Sequence, residues 1–125
     1  MSANIMLYSG SLISILWGVA HIIPTKPVVK GFGKISEDNK RIIQMEWIAE
    51  GLTLCFLGVL VLLISMSGGD ANPVSLIVYR ASAAMLLVMA GLTSLTGART
   101  SIIPIKICPV VKTAIAILFF LGSVL

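Results

Sequence analysis

Hydrophobic residues occupy four long runs along the chain, at residues 5–23, 42–66, 74–97 and 109–125. A helix needs about 20 apolar residues to cross about 30 Å of hydrocarbon, and each run is close to that length. Pro24 follows the first run, Gly68 and Gly69 follow the second, and Pro73 and Pro109 open the third and fourth. The pattern predicts four membrane-spanning helices joined by short loops.

Two of these helices have uncertain starting points. The fourth run has 17 residues, so either residues 102–108 contribute to its helix or the helix spans a thinned region. If it starts at Pro109, Lys112 lies in its first turn, and we expect that side chain to extend to the headgroups. Ser36, followed by Glu37 and Asp38, is typical of a helix start, which would lengthen the second helix into the loop at 25–40.

The composition points to lipid as the solvent of most of the chain. Of its 125 residues, 58% are hydrophobic and 11% are charged. A soluble domain has about 25% charged residues, and a chain this short cannot bury so much apolar surface in its own core. We therefore predict an all-α fold: a polytopic integral membrane four-helix bundle that forms a single transmembrane domain over residues 1–125.

The basic residues predict the orientation of the bundle. Lys and Arg occur in the first and third loops but not in the second loop or at either terminus, and they include Lys26, Lys30, Lys34, Lys40, Arg41, Arg99 and Lys106. Because cytoplasmic loops carry an excess of Lys and Arg, we expect loop 25–40 and the third loop to be cytoplasmic. The protein is then a multi-pass protein of the inner (plasma) membrane with both termini outside.

Charge and cysteine spacing exclude several classes of protein. Basic residues confined to two loops are typical of contact with an anionic leaflet, and we expect no nucleic-acid partner. Cys55 and Cys108 are far apart in sequence, and Cys55 lies within an apolar run. Neither a disulfide framework nor a CxxC redox pair is available.

Ionisable residues within the apolar runs are the candidate functional residues, because charge in hydrocarbon is unfavourable. Glu46 and Glu50 lie four residues apart, hence on one helix face, and two carboxylates this close disfavour joint ionisation. One of them could hold a proton near neutral pH. His21 lies at the same predicted depth and could shuttle protons. We take His21, Glu46 and Glu50 as a candidate catalytic acid–base cluster.

Each of these candidates has a simpler interpretation. Glu46 could lie among headgroups and pair with a loop lysine, and His21 could be an interfacial residue. Arg80 could form a structural ion pair with Glu50 across helices, since their depths differ by about 9 Å at about 1.5 Å per residue. It could equally extend to the outer headgroups. With one histidine and no paired Glu-x-x-His motif, we expect no metal centre and no cofactor.

Small residues recur at helical spacing and predict close packing of the first three helices. Without a hydrophobic force between helices in lipid, close backbone approach is a main source of cohesion. The predicted packing residues are Gly10, Ser14 and Gly18 in the first helix, Gly51 and Cys55 in the second, and Ala84 and Gly91 in the third.

A family resemblance covers mainly residues 16–64. The segment at 30–33, together with Ser36, Asn39 and the run Met-Glu-Trp-Ile-Ala-Glu-Gly at 45–51, resembles small prokaryotic four-helix membrane proteins, loosely similar to the DoxX-like group. Few of those families have assigned activities, so the resemblance implies architecture. The small multidrug transporters share the length and helix count, but their key acid lies in the first helix, which here has none.

Three functions remain open, and whether the protein is an enzyme is not determined. The leading hypothesis is an accessory, scaffold or subunit-type membrane protein with a buried polar cluster that fixes helix packing. One alternative is a membrane-embedded acid–base or binding site for a lipid-soluble ligand such as a quinone or isoprenoid. Another is a proton-coupled transporter that works as an oligomer. The expected partners are membrane lipids and either copies of the chain or a larger membrane complex.

Overall fold

A computed structural model describes residues 2–68 and 72–125 of the chain. Its elements are α1 (Ala3–Ile22), α2 (Thr25–Lys30), α3 (Glu37–Met66), α4 (Pro73–Leu95), a 3₁₀ turn (Gly97–Arg99) and α5 (Ile103–Val124). Within the described residues there is no strand, and the four long helices are long and apolar enough to cross a membrane. The prediction of an all-α fold with four apolar helices is confirmed. Gly69, which was predicted to follow the second helix, lies outside the described residues.

The beginning of α3 follows from its sequence. The Ser36 hydroxyl accepts a hydrogen bond from the Asn39 amide at 3.1 Å, and Glu37 and Asp38 occupy the first turn near the positive end of the helix dipole. The helix has 30 residues, which is about 45 Å at about 1.5 Å per residue. The start at Glu37 confirms the prediction that the second helix extends into the loop at 25–40. The helix is longer than the roughly 30 Å of a hydrocarbon core.

A short helix, α2, lies within the predicted first loop. It follows α1 after a turn at Pro24, and Val29 is buried against α3. Gly33, with φ of +73°, adopts the left-handed conformation that glycine tolerates best, and this reverses the chain toward α3.

The fourth long helix begins earlier than the run at 109–125 indicates. α5 starts at Ile103 with Pro104 in its first turn, where the missing proline N–H removes no helical hydrogen bond. Pro109 lies inside the helix, which therefore lacks one backbone hydrogen bond at that point. The alternative in which residues 102–108 contribute is confirmed, and Lys112 lies about 14 Å along the helix from its start.

The bundle is built from antiparallel neighbours. α1 packs mainly against α3 and α5, whereas α4 packs mainly against α5. The loops between α1 and α3 and between α4 and α5 therefore lie at the same end of the bundle. The hydrophobic core contains Leu7, Leu54, Leu57, Val61, Tyr79, Ala83, Leu86, Met89, Ile115, Ala116 and Phe119.

Two of the three predicted packing residues of α1, Ser14 and Gly18, contact α3 as predicted. A Cβ added to Gly18 would lie 2.6 Å from the Gly51 carbonyl oxygen and 2.6 Å from Cys55 Sγ, so the two backbones touch there. The buried Ser14 hydroxyl donates to the Leu54 carbonyl at 2.7 Å. Gly10 instead faces α5, since an added Cβ would lie 2.8 Å from the Phe119 ring.

The predicted packing role of Ala84 and Gly91 is wrong. Both residues are exposed, and an added Cβ at Gly91 would meet no atom within 4 Å among the described residues. α4 turns its other face, with Ala83, Leu86 and Ala90, into the bundle. Ala84 and Gly91 share the opposite face because they lie seven residues apart, close to two helical turns.

Candidate functional site

A buried ion pair lies between α3 and α5. Lys112 Nζ donates to Glu50 Oε1 and, at 2.8 Å, to the Thr93 hydroxyl of α4. The Lys112 side chain is 0% exposed, whereas that of Glu50 is 30% exposed. The ammonium group is therefore enclosed by protein, and the carboxylate closes one side of it.

The second carboxylate oxygen of Glu50 faces α1. His21 Nε2 lies 3.4 Å from Glu50 Oε2, within ion-pair distance but without the geometry of a hydrogen bond. The imidazole stacks on the Trp47 indole, with ring centroids 3.9 Å apart and planes inclined at 18°. Trp47 Nε1 donates to the His21 backbone carbonyl. These contacts fix the ring between α1 and α3, and its side chain is 9% exposed.

We call His21, Trp47, Glu50, Thr93 and Lys112 the charge cluster. It joins all four long helices at one level, because α1, α3, α4 and α5 each contribute at least one member. A buried charge is strongly unfavourable unless it is paired and hydrogen-bonded. Here the Lys112 ammonium group has the Glu50 carboxylate of α3 and the Thr93 hydroxyl of α4 as partners, and Glu50 also lies beside His21 of α1.

The predicted acid–base cluster is only partly assembled. The structure brings His21 and Glu50 together, but Glu46 lies exposed on α3, and among the described residues it forms no ion pair. Glu50 has Lys112 and His21 as its charged neighbours in the cluster. The mutual repulsion of two carboxylates, on which the prediction of a shared proton rested, is thus not the dominant feature of this site.

The predicted Glu50–Arg80 ion pair is wrong, and so is the prediction that Lys112 extends to the headgroups. Arg80 Nε donates to the Ser123 hydroxyl at 3.2 Å, near the far end of α5. On α4, Thr93 is the residue at the level of Glu50, and it lies about 20 Å along the helix from Arg80. Lys112 is enclosed because α5 begins at Ile103, which places this lysine deep in the helix.

Sequence reasoning missed Thr93 and Lys112 as members of the site. The available signal was the lysine itself: once α5 is taken to start before Pro109, a lysine near its middle requires an acidic partner. Glu50 is the acid at matching depth. Thr93 gave no separate signal, since a threonine in a helix usually bonds its own backbone, as it also does here with Met89 at 2.9 Å.

Other polar contacts are spread through the bundle. The Trp17 indole donates to Cys108 Sγ at 3.3 Å, and Ser65 donates to the Tyr79 hydroxyl at 3.2 Å. Within residues 2–68 and 72–125, no three His, Cys, Asp or Glu side chains converge as a metal site would need.

The surface of the described residues includes two grooves that bear on function. One lies between α2 and the start of α3, and the other, of about 460 Å³, lies on the outer face of α4 and α5 around Pro109. Neither is lined by a residue of the charge cluster.

Comparison of the chain with protein families, curated proteins and solved structures finds no match. The DoxX-like resemblance therefore stays a prediction, and function has to be argued from the charge cluster and the surfaces of the bundle.

Proposed function

We propose that the protein is an accessory or subunit-type membrane protein whose charge cluster holds four transmembrane helices in one arrangement. The observation that carries this proposal is the complete enclosure of Lys112 between Glu50 and Thr93. A group that exchanges protons or binds a ligand needs access, whereas a group that fixes packing needs only partners. The Lys112 ammonium group has partners and no access, which favours the second role.

The membrane location and topology belong to the same proposal. Four helices of sufficient length and apolar character support a multi-pass protein. Both basic loops lie at one end of the bundle, which supports the arrangement in which these loops are cytoplasmic and both termini are outside. The inner (plasma) membrane is the proposed location.

The outer face of α4 is the proposed contact with other subunits. Ala84 and Gly91 are exposed there, and small residues let a second helix approach closely in lipid. Among the long helices, α4 packs mainly on α5 and only weakly on α3. A second copy of the chain or a larger membrane complex would cover this face.

The test is the size of the assembly in membranes. The tagged chain is extracted with its surrounding lipid by a membrane-solubilising polymer. We expect the protein mass per particle, after the lipid and polymer are subtracted, to exceed that of one 13.2 kDa chain. Ala84→Leu should shift it toward the monomer. Ala20→Leu, the same change at an exposed position on α1, should not. A monomeric wild-type protein under these conditions would contradict the proposed role.

A second candidate function rests on the exposed part of Glu50. Because 30% of its side chain is exposed, a lipid-soluble ligand with a hydrogen-bonding group, such as a quinone or isoprenoid alcohol, could reach the carboxylate. Mass spectrometry of lipophilic molecules that co-purify with the protein distinguishes the two functions. A ligand retained by the wild type and lost from Glu50→Gln, with the assembly intact, would favour the binding site over the accessory role.

A further inference from the structure

A basic groove lies apart from the charge cluster, between α2 and the beginning of α3. Its volume is about 250 Å³, and it is lined by Lys26, Val29, Lys30, Gly33, Lys40 and Gln44. Three of these six residues are lysines and none is acidic. The accessory role proposed above makes no use of this groove.

The lysines reach the groove from both of its walls. Lys26 and Lys30 lie four residues apart on one face of α2, and Lys40 and Gln44 have the same spacing on α3. Val29, 7% exposed, is the buried apolar residue of the lining. The groove therefore combines cationic walls with an amide that can donate a hydrogen bond.

The positive charge of the groove is only partly compensated. Lys40 Nζ lies 3.0 Å from Glu37 Oε1, but the side chains are 40% and 76% exposed, so this pair is well solvated. In the described part of the chain, Lys26 and Lys30 form no ion pair. Two uncompensated cations thus face the same small volume and favour an anionic ligand.

The surroundings of the groove are those of a membrane interface. α2 begins directly after α1 ends, so the groove lies at the end of a helix that we propose to span the membrane. Two apolar side chains beside α2, Ile23 and Phe32, are 76% and 56% exposed. Exposed apolar residues next to lysines are typical of segments at the boundary of headgroups and acyl chains, where lysines reach lipid phosphates.

We propose that the basic groove binds the phosphate group of an anionic lipid headgroup, with Lys26 and Lys30 supplying the charge and Gln44 a hydrogen bond. The inference uses the proposed membrane location but not the accessory role. Free inorganic phosphate has the same chemistry, so the experiment has to separate the two sources.

The experiment measures how lipid stabilises the purified full-length chain in a neutral detergent. Dioleoylphosphatidylglycerol is titrated, and the rise in the midpoint of thermal unfolding gives an apparent affinity. Lys26→Gln with Lys30→Gln should weaken this affinity about thirty-fold, since each lysine near an anionic surface contributes about five-fold. The control is Lys34→Gln with Lys106→Gln, which removes the same charge from exposed positions outside the groove and should weaken it less than about five-fold in total.

Three outcomes would overturn the proposal. Equal weakening in the groove and control variants would mean that the lipid responds to general surface charge. Equal stabilisation by dioleoylphosphatidylcholine would mean that the anionic headgroup is not recognised. The third outcome concerns sodium phosphate, compared with sodium chloride at the same ionic strength. If phosphate raised the unfolding midpoint as much as dioleoylphosphatidylglycerol does, and the groove variant lost this rise, the ligand would be free phosphate and not a lipid.

Discussion

Glu50→Gln should be more destabilising than the removal of its cationic partner. The change leaves the Lys112 ammonium group fully enclosed without a counter-charge, because the amide oxygen of the glutamine and the Thr93 hydroxyl are both neutral acceptors. Breaking a buried ion pair by removing one partner costs about 3–5 kcal/mol, because an uncompensated buried charge remains. We expect Glu50→Gln to lower the free energy of unfolding by an amount in that range.

Lys112→Met should be milder, because the charge that it leaves behind is the more accessible one. Glu50 keeps His21 at 3.4 Å and is 30% exposed, so water or headgroups can compensate its carboxylate. A loss of about 1–2 kcal/mol is the corresponding expectation for a partly solvated group. The double variant Glu50→Gln with Lys112→Met contains neither charge and should lie within about 1 kcal/mol of the wild type. The two single losses total about 4–7 kcal/mol, so the expected coupling energy is at least about 3 kcal/mol.

Equilibrium unfolding in mixed micelles provides the assay. The chain has two tryptophans, and Trp47 stacks on His21 inside the cluster, so its fluorescence reports directly on the site. Glu37→Gln is the matched control, because Glu37 pairs with a lysine on the exposed surface, where such pairs contribute at most about 1 kcal/mol. If the double variant were as unstable as Glu50→Gln, or if Glu37→Gln were equally destabilising, the cluster would not be the charge-compensated element described above.

Two further predictions concern packing and orientation. Gly18→Leu should unfold the protein at lower temperature, because even its Cβ would overlap backbone atoms of α3. Ala20→Leu, at an exposed position of the same helix, should leave the midpoint unchanged, and equal midpoints would place Gly18 outside the bundle. In a variant without the two native cysteines, an impermeant thiol reagent added to intact cells should modify a cysteine at Asn72 but not one at Lys34, and the opposite pattern would invert the topology.

The sequence was sufficient to predict the four long helices and the extended start of α3. Their signals are local: apolar runs of membrane-spanning length, and Ser36 followed by two acids. The start of α5 could not be assigned, because Pro104 and Pro109 are both compatible with a first helical turn. Only packing against α1 and α4 distinguishes the proline that opens the helix from the one inside it.

The partners of the charge cluster were harder to predict because they depend on axial register between helices. An error of six residues in the start of one helix moves a side chain by about 9 Å, which separates a buried lysine from one that reaches headgroups. Pairing Glu50 with Arg80 followed from estimated depths alone. The rotational orientation of α4 was equally inaccessible, since both of its faces contain small residues and either could have packed inward.

The burial of Lys112 also bears on the order in which the chain enters a membrane. A lysine near the middle of an isolated helix makes insertion about 2.5–3.5 kcal/mol less favourable, and α5 contains no acid to offset it. The counter-charge, Glu50, belongs to a helix that is synthesised earlier. In a membrane, α5 is therefore accommodated most readily after α3, so vectorial synthesis presents the lysine to a carboxylate that is already in place.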